Sequence, residues 1–330
     1  YFTIFGNTLT ARNQPLGNLG AEVRIDDDGV RILQADMDGL GLTLRGNLLW
    51  SGRQPYTASL SFHNTDFSFL PGSQKWGDFQ KGDLIISGLA EVQGNLASMT
   101  LRTGSAKISA LEIHRGGNVI VSNRPMELKF QNDQLEVRSC ELKYRNGVFG
   151  IEGIWNPKGQ VALTLSGREF SLAALTNLLR VPDWGGDGSL SIDGGVVGTF
   201  PNVRLEGDLR VTNLSWRGRV VPEVTAKCRV DQEGIKVNPL QVHFPRNLVT
   251  AIGKLPWDDG WNVRNMDLAV EVASGPLDDL PVYLPEIFNA AKGWTKASLR
   301  FQGDLLHPEV TGNASLYGDL LGFKGMKRPL

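Results

Sequence analysis

The chain has 330 residues with 34 Lys+Arg, 35 Asp+Glu and a formal net charge of -1, which excludes the basic excess of a general nucleic-acid binder. Hydrophobic residues make up 41% and charged residues 21%, a globular rather than a disordered composition. No apolar run approaches the ~18 residues of a membrane span, and the two cysteines, Cys140 and Cys228, form neither a disulfide framework nor a metal spacing.

The first residue is Tyr1 and no signal peptide precedes it, so the chain reads as a piece of a longer one. Turn signals then recur at short intervals: Asp28-Gly29, Asn146-Gly147, Lys158-Gly159, Glu233-Gly234 and Asp259-Gly260. Such pairs supply the positive φ of hairpin turns. The longest apolar run, around Leu84-Ile85-Ile86, is soon interrupted. Between the turns, apolar and polar residues alternate at period two, as in Val161–Leu165, Leu205–Val211, Leu268–Val272 and Leu299–Phe301. That is the signature of strands with one dry and one wet face. Helical spacing is rare. It predicts a helix over 171–180, with Ser171 as N-cap and Pro182 beyond the end, and a second short helix within 277–292, broken at Pro281 and Pro285. No βαβ crossover pattern occurs, so the expectation is an all-β antiparallel meander.

The chain also repeats. The opening glycines of three similar segments, Gly94, Gly198 and Gly303, stand 104 and 105 residues apart. Trp50, Trp155 and Trp257 each precede a turn, 105 and 102 residues apart. The acidic or amide turns at Asp28, Asn132-Asp133 and Glu233 keep the same period, as do the starts of short helical insertions near Asp66-Phe67, Glu169-Phe170 and Asp278-Asp279. Trp76, Trp184 and Trp294 follow those insertions and are expected to pack them onto the sheet. A period of ~105 residues divides the chain into an incomplete first repeat at 1–93, repeats at 94–197 and 198–302, and the start of a further repeat at 303–330, in one continuous domain. Each repeat is expected to hold about eight strands and one insertion.

A sheet with one apolar face must cover that face, and helices here are too few to do so. It either packs on a second sheet or curls upon itself. The many glycines suit bends and bulges, and the length of the period favours a long curled sheet, a β-taco around an open hydrophobic groove. At ~4.8 Å per strand such a sheet would run on the order of 100 Å. A closed, packed core remains the alternative that alternation alone allows. The groove lining expected from parity is Leu163, Leu165, Leu205, Leu209, Val211, Leu268, Val270, Val272, Leu299 and Phe301.

Site chemistry of other kinds finds little support. His63, His114, His243 and His307 are scattered, with no i, i+4 pair and no nearby Cys. Asp26-Asp27-Asp28-Gly29 lacks the alternate ligand spacing of a calcium loop and reads as a polar hairpin turn. No nucleophile elbow, phosphate loop or dinucleotide fingerprint occurs. The expectation is a protein without catalytic, cofactor or metal residues.

The form Gly-x-Leu-x-x-Pro-x-Val-x-Gly-x-Leu runs over 303–314, with Ala314 in the last place, and more loosely over 198–209. With the Leu-rich insertion before Trp184-Gly185-Gly186-Asp187-Gly188, and Leu240-x-Val242 before Leu248–Leu255, it resembles the AsmA-like superfamily, above all its TamB (translocation and assembly module) branch. The resemblance spans about residues 20–320. Its first unit departs by carrying Ala97-Ser98 where the Pro would stand. Neither the family's N-terminal inner-membrane anchor nor its C-terminal outer-membrane region is matched. The resemblance implies a periplasmic protein of a diderm bacterium, anchored in the inner membrane through a segment outside this sequence. Its partners would be phospholipid acyl chains, carried between the membranes along the groove, and an outer-membrane β-barrel. A role as a scaffold for outer-membrane protein assembly is the alternative, and a passive structural β array is a third.

Overall fold

Each alternating segment sheds water from one face and keeps it on the other, so neighbouring segments pair edge to edge with their apolar faces in common. The computed structural model of the chain is an antiparallel sheet of 20 strands. It describes residues 1–11, 14–68, 82–98, 100–156, 159–179, 186–199, 202–216, 219–257, 265–276, 278, 288–304 and 307–323. The chain falls into two compact units, Tyr1–Leu163 and Thr164–Leu330, with the division inside a strand.

The first unit is a meander of β1 (Phe2–Ala11), β2 (Gln14–Asp26), β3 (Gly29–Met37), β4 (Leu42–Leu49), β5 (Pro55–Asp66), β6 (Leu84–Asn95) and β7 (Thr100–Arg115). It continues through β8 (Asn118–Ser122), β9 (Met126–Gln131), β10 (Gln134–Tyr144), β11 (Gly147–Trp155) and the first residues of β12 (Gln160–Ser171). β8 and β9 occupy one lane, since both pair with β7 on one side and β10 on the other. The second unit holds the rest of β12, an eight-residue helix α1 (Leu172–Leu179), and the meander β13 (Gly186–Thr199), β14 (Asn202–Trp216), β15 (Arg219–Asp231), β16 (Gly234–His243), β17 (Leu248–Pro256), β18 (Met266–Pro276), β19 (Phe288–Asp304) and β20 (His307–Phe323).

The helix forms where its sequence pattern places it. The Ser171 hydroxyl accepts the Ala174 N–H at 3.1 Å, and the Asp187 carboxylate accepts the Ala173 N–H at 3.1 Å. Two of the donors that a helix start leaves unpaired are thus satisfied, each cap contributing about 1 kcal/mol. Phe170, on β12 just before the helix, and Ala174 within it are 0% and 1% exposed, and α1 lies against β13.

Three expectations are corrected. Among the described residues the span 94–197 holds seven strands, β7 to β13, in six lanes, where about eight strands were expected: β8 and β9, of five and six residues, share a lane, and the others run 9 to 16 residues. The second helix expected within 277–292 lies mostly outside the described residues, but 288–292 belong to β19 and pair with β20. That long-range pairing overrides the local helical spacing. Gly29, Gly147 and Gly234 begin the strand that follows their turn, with the turn pair before them, as where Arg145 supplies a φ of 54°; before Gln134 the pair Asn132 and Asp133 supplies 53° and 59°. Gly234 keeps a positive φ of 135°, whereas Gly29 does not, and both provide room, since a Cβ on them would lie 2.0 Å from the Leu48 carbonyl oxygen and 2.3 Å from that of Leu255. The turns at Lys158 and at Asp259-Gly260 lie outside the described residues. Asp26, first of the acidic run, accepts the Asp28 and Gly29 N–H groups at 3.3 and 3.2 Å, so its carboxylate closes the turn.

A bulge shifts the register of β3 against β4 between Ile32 and Ala35, of β10 against β11 between Val137 and Cys140, and of β16 against β17 between Val237 and Leu240. The left-handed residues Asn64 and Glu169, φ 48° and 50°, each donate their N–H to a serine hydroxyl on the next strand, Ser87 at 2.8 Å and Ser191 at 3.4 Å.

Candidate functional site

Residues directly opposite one another in antiparallel strands point to the same face. In the second unit the register therefore assembles the apolar residues into rows that cross the strands. One row reads Leu190, Val211, Val224, Val242, Val249, Val272, Ala297, Ala314 from β13 to β20. The next reads Ile192, Leu209, Ala226, Leu240, Ala251, Val270, Leu299, Gly312. A third reads Gly194, Gly207, Cys228, Val237, Gly253, Leu268, Phe301, Val310, and a fourth starts Val196, Leu205, Val230, Ile235, Leu255. No charged side chain stands in any of them.

Eight of the ten residues expected from parity lie in these rows: Leu205, Leu209, Val211, Leu268, Val270, Val272, Leu299 and Phe301. Leu165 keeps the same alternation on β12 and is buried, with Thr164 and Ser166 exposed on either side. Leu163 belongs to the first unit. It flanks a comparable row there, since a Cβ on Gly153 would lie 3.0 Å from the Leu163 Cα. That row reads Ala21, Ala35, Leu44, Leu60, Ala90, Ala106, Leu128, Val137, Gly153. Parity alone missed the row members on β15 to β17, although the slip that places them was readable as two successive non-apolar residues, Asn238-Pro239.

Most of this lining is half-buried rather than buried. Leu205, Leu209, Val211, Leu268, Val270, Val272, Leu299 and Phe301 are intermediate in exposure, whereas Arg204, Glu206, Asp208, Arg210, Glu271, Ser298 and Arg300 between them are exposed. A Val or Leu left up to about a third exposed keeps at most roughly 0.5–1 kcal/mol of transfer free energy ungained, which a further apolar surface could recover.

The polar face is laced with exposed ion pairs, the best formed being Arg300 on Asp267 at 2.7 and 2.8 Å. The Arg300 hydrogen bonds hold the Asp267 carboxyl below its ordinary value. Cys140 and Cys228 are free thiols on the apolar face. Burial pushes both up, and the Asp208 charge adds to the effect at Cys228. Trp50 donates its indole N–H to the Asp26 carbonyl at 3.3 Å, which ties two turns together at one end of the strands. Trp155 ends an apolar row opposite Leu135 at that same end. Trp294, expected to pack an insertion onto the sheet, is instead 57% exposed on β19; Trp76 and Trp184 lie outside the described residues. No described helix is long and apolar enough to cross a membrane, and among the described residues no cluster of metal-ligating side chains occurs.

The fold and face define a class: a single-sheet, all-β chain with one apolar face only half covered. No family model, curated protein or solved structure matches the chain.

Proposed function

We propose that the chain is a segment of a periplasm-spanning, bridge-like lipid transfer protein of the AsmA-like type, which carries phospholipids between inner and outer membrane along its apolar face. The observation that carries this reading is the set of uninterrupted apolar rows across β13 to β20, most of whose members are only part-buried. A free diacyl lipid in water exposes ~30 methylenes at ~0.8 kcal/mol each, roughly 25 kcal/mol. A continuous apolar lining lowers that barrier by never exposing the acyl chains. It needs no catalytic group, cofactor or metal, and a strong site would trap the cargo.

A second reading, a scaffold that templates an outer-membrane client by strand addition, draws on β20. That strand pairs with β19, and its residues from Glu309 to Gly318 are exposed, Val310, Leu316 and Tyr317 among them. A photo-crosslinking amino acid at Leu209 and, separately, at Arg210, in cells, distinguishes the two. Phospholipid adducts at Leu209 and none at Arg210 are expected. Protein adducts without lipid at Leu209 would replace the conduit with the scaffold, and no adduct at either would leave a passive array.

A further inference from the structure

The polar face of the first unit carries a concavity of about 380 Å³ spanning β6 to β11. Two rows of outward side chains form its floor. One is Gln93, Thr103, Gln131, Gln134, and the other is Glu91, Ser105, Lys129, Glu136, Ile154, each residue directly opposite the next. Within a row neighbours are ~4.8 Å apart and the rows are ~7 Å apart.

These polar groups are not spent on one another. Glu136 takes Arg138 at 3.0 Å, whereas no described hydrogen bond or ion pair engages the side chains of Glu91, Gln93, Lys129, Gln131 or Gln134. The corresponding row of the second unit, Gly195, Glu206, Arg229, Lys236, Lys254, behaves differently. There Arg229 reaches Glu206 at 3.8 Å and Asp231 at 3.0 Å, and Lys236 reaches Glu233 at 3.1 Å. The charges of that row, Lys254 apart, are thus paired. The first unit instead gathers three unpaired amides in a hollow.

We propose that this hollow is a binding site for a neutral, polyhydroxylated chain, an extended glycan lying across the strands. The amides and hydroxyls of the floor both donate and accept, as sugar hydroxyls require. Its charges cancel, Glu91 against Lys129 and Glu136 against Arg138, so neither an anion nor a cation is favoured. Ile154 and Phe130 are the apolar residues of the lining, Phe130 alternating to the other face, and an extended peptide would need pockets for its alternate side chains. The site lies on the face opposite the apolar rows and is independent of the lipid reading.

The test follows the side-chain amide signals of Gln93, Gln131 and Gln134 in nitrogen–proton correlation spectra of the whole chain, titrated with cellohexaose and with chitohexaose. Saturable shifts of those three signals with one of the sugars are expected. Gln131→Ala should weaken that binding at least tenfold, while Lys236→Gln, in the corresponding row of the second unit, leaves it unchanged. Both substitutions fall on exposed side chains, and an unaltered melting curve verifies each fold. Amide signals unmoved by either sugar, an affinity unchanged in Gln131→Ala, or a larger response to a neutral Gly-Ser peptide at equal concentration would overturn the proposal.

Discussion

Asp267 and Arg300 show how the wet face contributes at the scale of single residues. Their bond is bidentate, at 2.7 and 2.8 Å, but both side chains reach solvent, where such pairs are worth little at high salt. Its signature is therefore sought in pH dependence. The Asp267 carboxyl is held below its ordinary 3.8, first by the Arg300 hydrogen bonds and then by the charges of Arg300 and Lys254. A carboxyl whose folded value is depressed stabilises the fold above its unfolded value, and that contribution disappears as pH falls through the folded value. Asp267→Asn should thus lower the urea midpoint near pH 6, and the difference from the parent chain should close steadily below about pH 3.8. A difference that persists unchanged at pH 2.5 would show that the bond contributes no charge-dependent stability.

At the scale of strands, the bulges decide which way every later side chain points. In β10 the inward residues are Leu135 and Val137, then, past the slip, Cys140, Leu142 and Tyr144. Two residues, Arg138 and Ser139, stand where alternation allows one. Deleting Ser139 restores plain alternation and keeps Leu142 and Tyr144 inward, at the loss of the Ser139 hydroxyl bond to the Pro125 carbonyl, about 1 kcal/mol. Deleting Lys143 leaves no register with Leu142 and Tyr144, both buried, inward together, since straightening the bulge turns Glu141 in and Leu142 out; the side chain lost to water costs roughly 1.5–3 kcal/mol, and an inward Glu141 adds to it. The expected outcome is a folded chain for the first deletion and an unfolded or aggregated one for the second, read by circular dichroism and size exclusion. Equal tolerance of the two would mean that register in β10 is not set by its apolar face.

The same slips explain what was legible in the sequence. Period-two alternation and helical spacing need only local information, so strand parity, the apolar face it defines and the helix after Ser171 were readable. The pairs Arg138-Ser139 and Asn238-Pro239 marked two of the slips for a reader who followed parity through them. Strand number was not readable, because a long strand with a bulge resembles two short ones. The strand at 288–292 and the exposed setting of Trp294 were not readable either, since both depend on pairing with β20, on the far side of a turn. The unpaired amides of the first unit become a site only once four distant segments lie side by side.

For the molecule as a whole, the question is whether the apolar rows act in series or merely stabilise in sum. Leu209 on β14 and Leu299 on β19 stand in one row, five strand spacings or ~24 Å apart. That is far enough for their effects on stability to add. In a half-exposed setting each Leu→Asp change should cost about 1–2 kcal/mol, and the double variant about twice that. Passage along a row behaves differently, because cargo stopped at one position never meets the second. Each single variant should therefore lose at least tenfold in delivery of a fluorescent phospholipid from donor to acceptor vesicles, while the double variant stays within twofold of the weaker single. Stability adds and transfer saturates, and only a path in series separates the two. If transfer instead fell in step with stability, multiplying in the double variant, the rows would be a core whose damage is felt everywhere, and the conduit reading would fail.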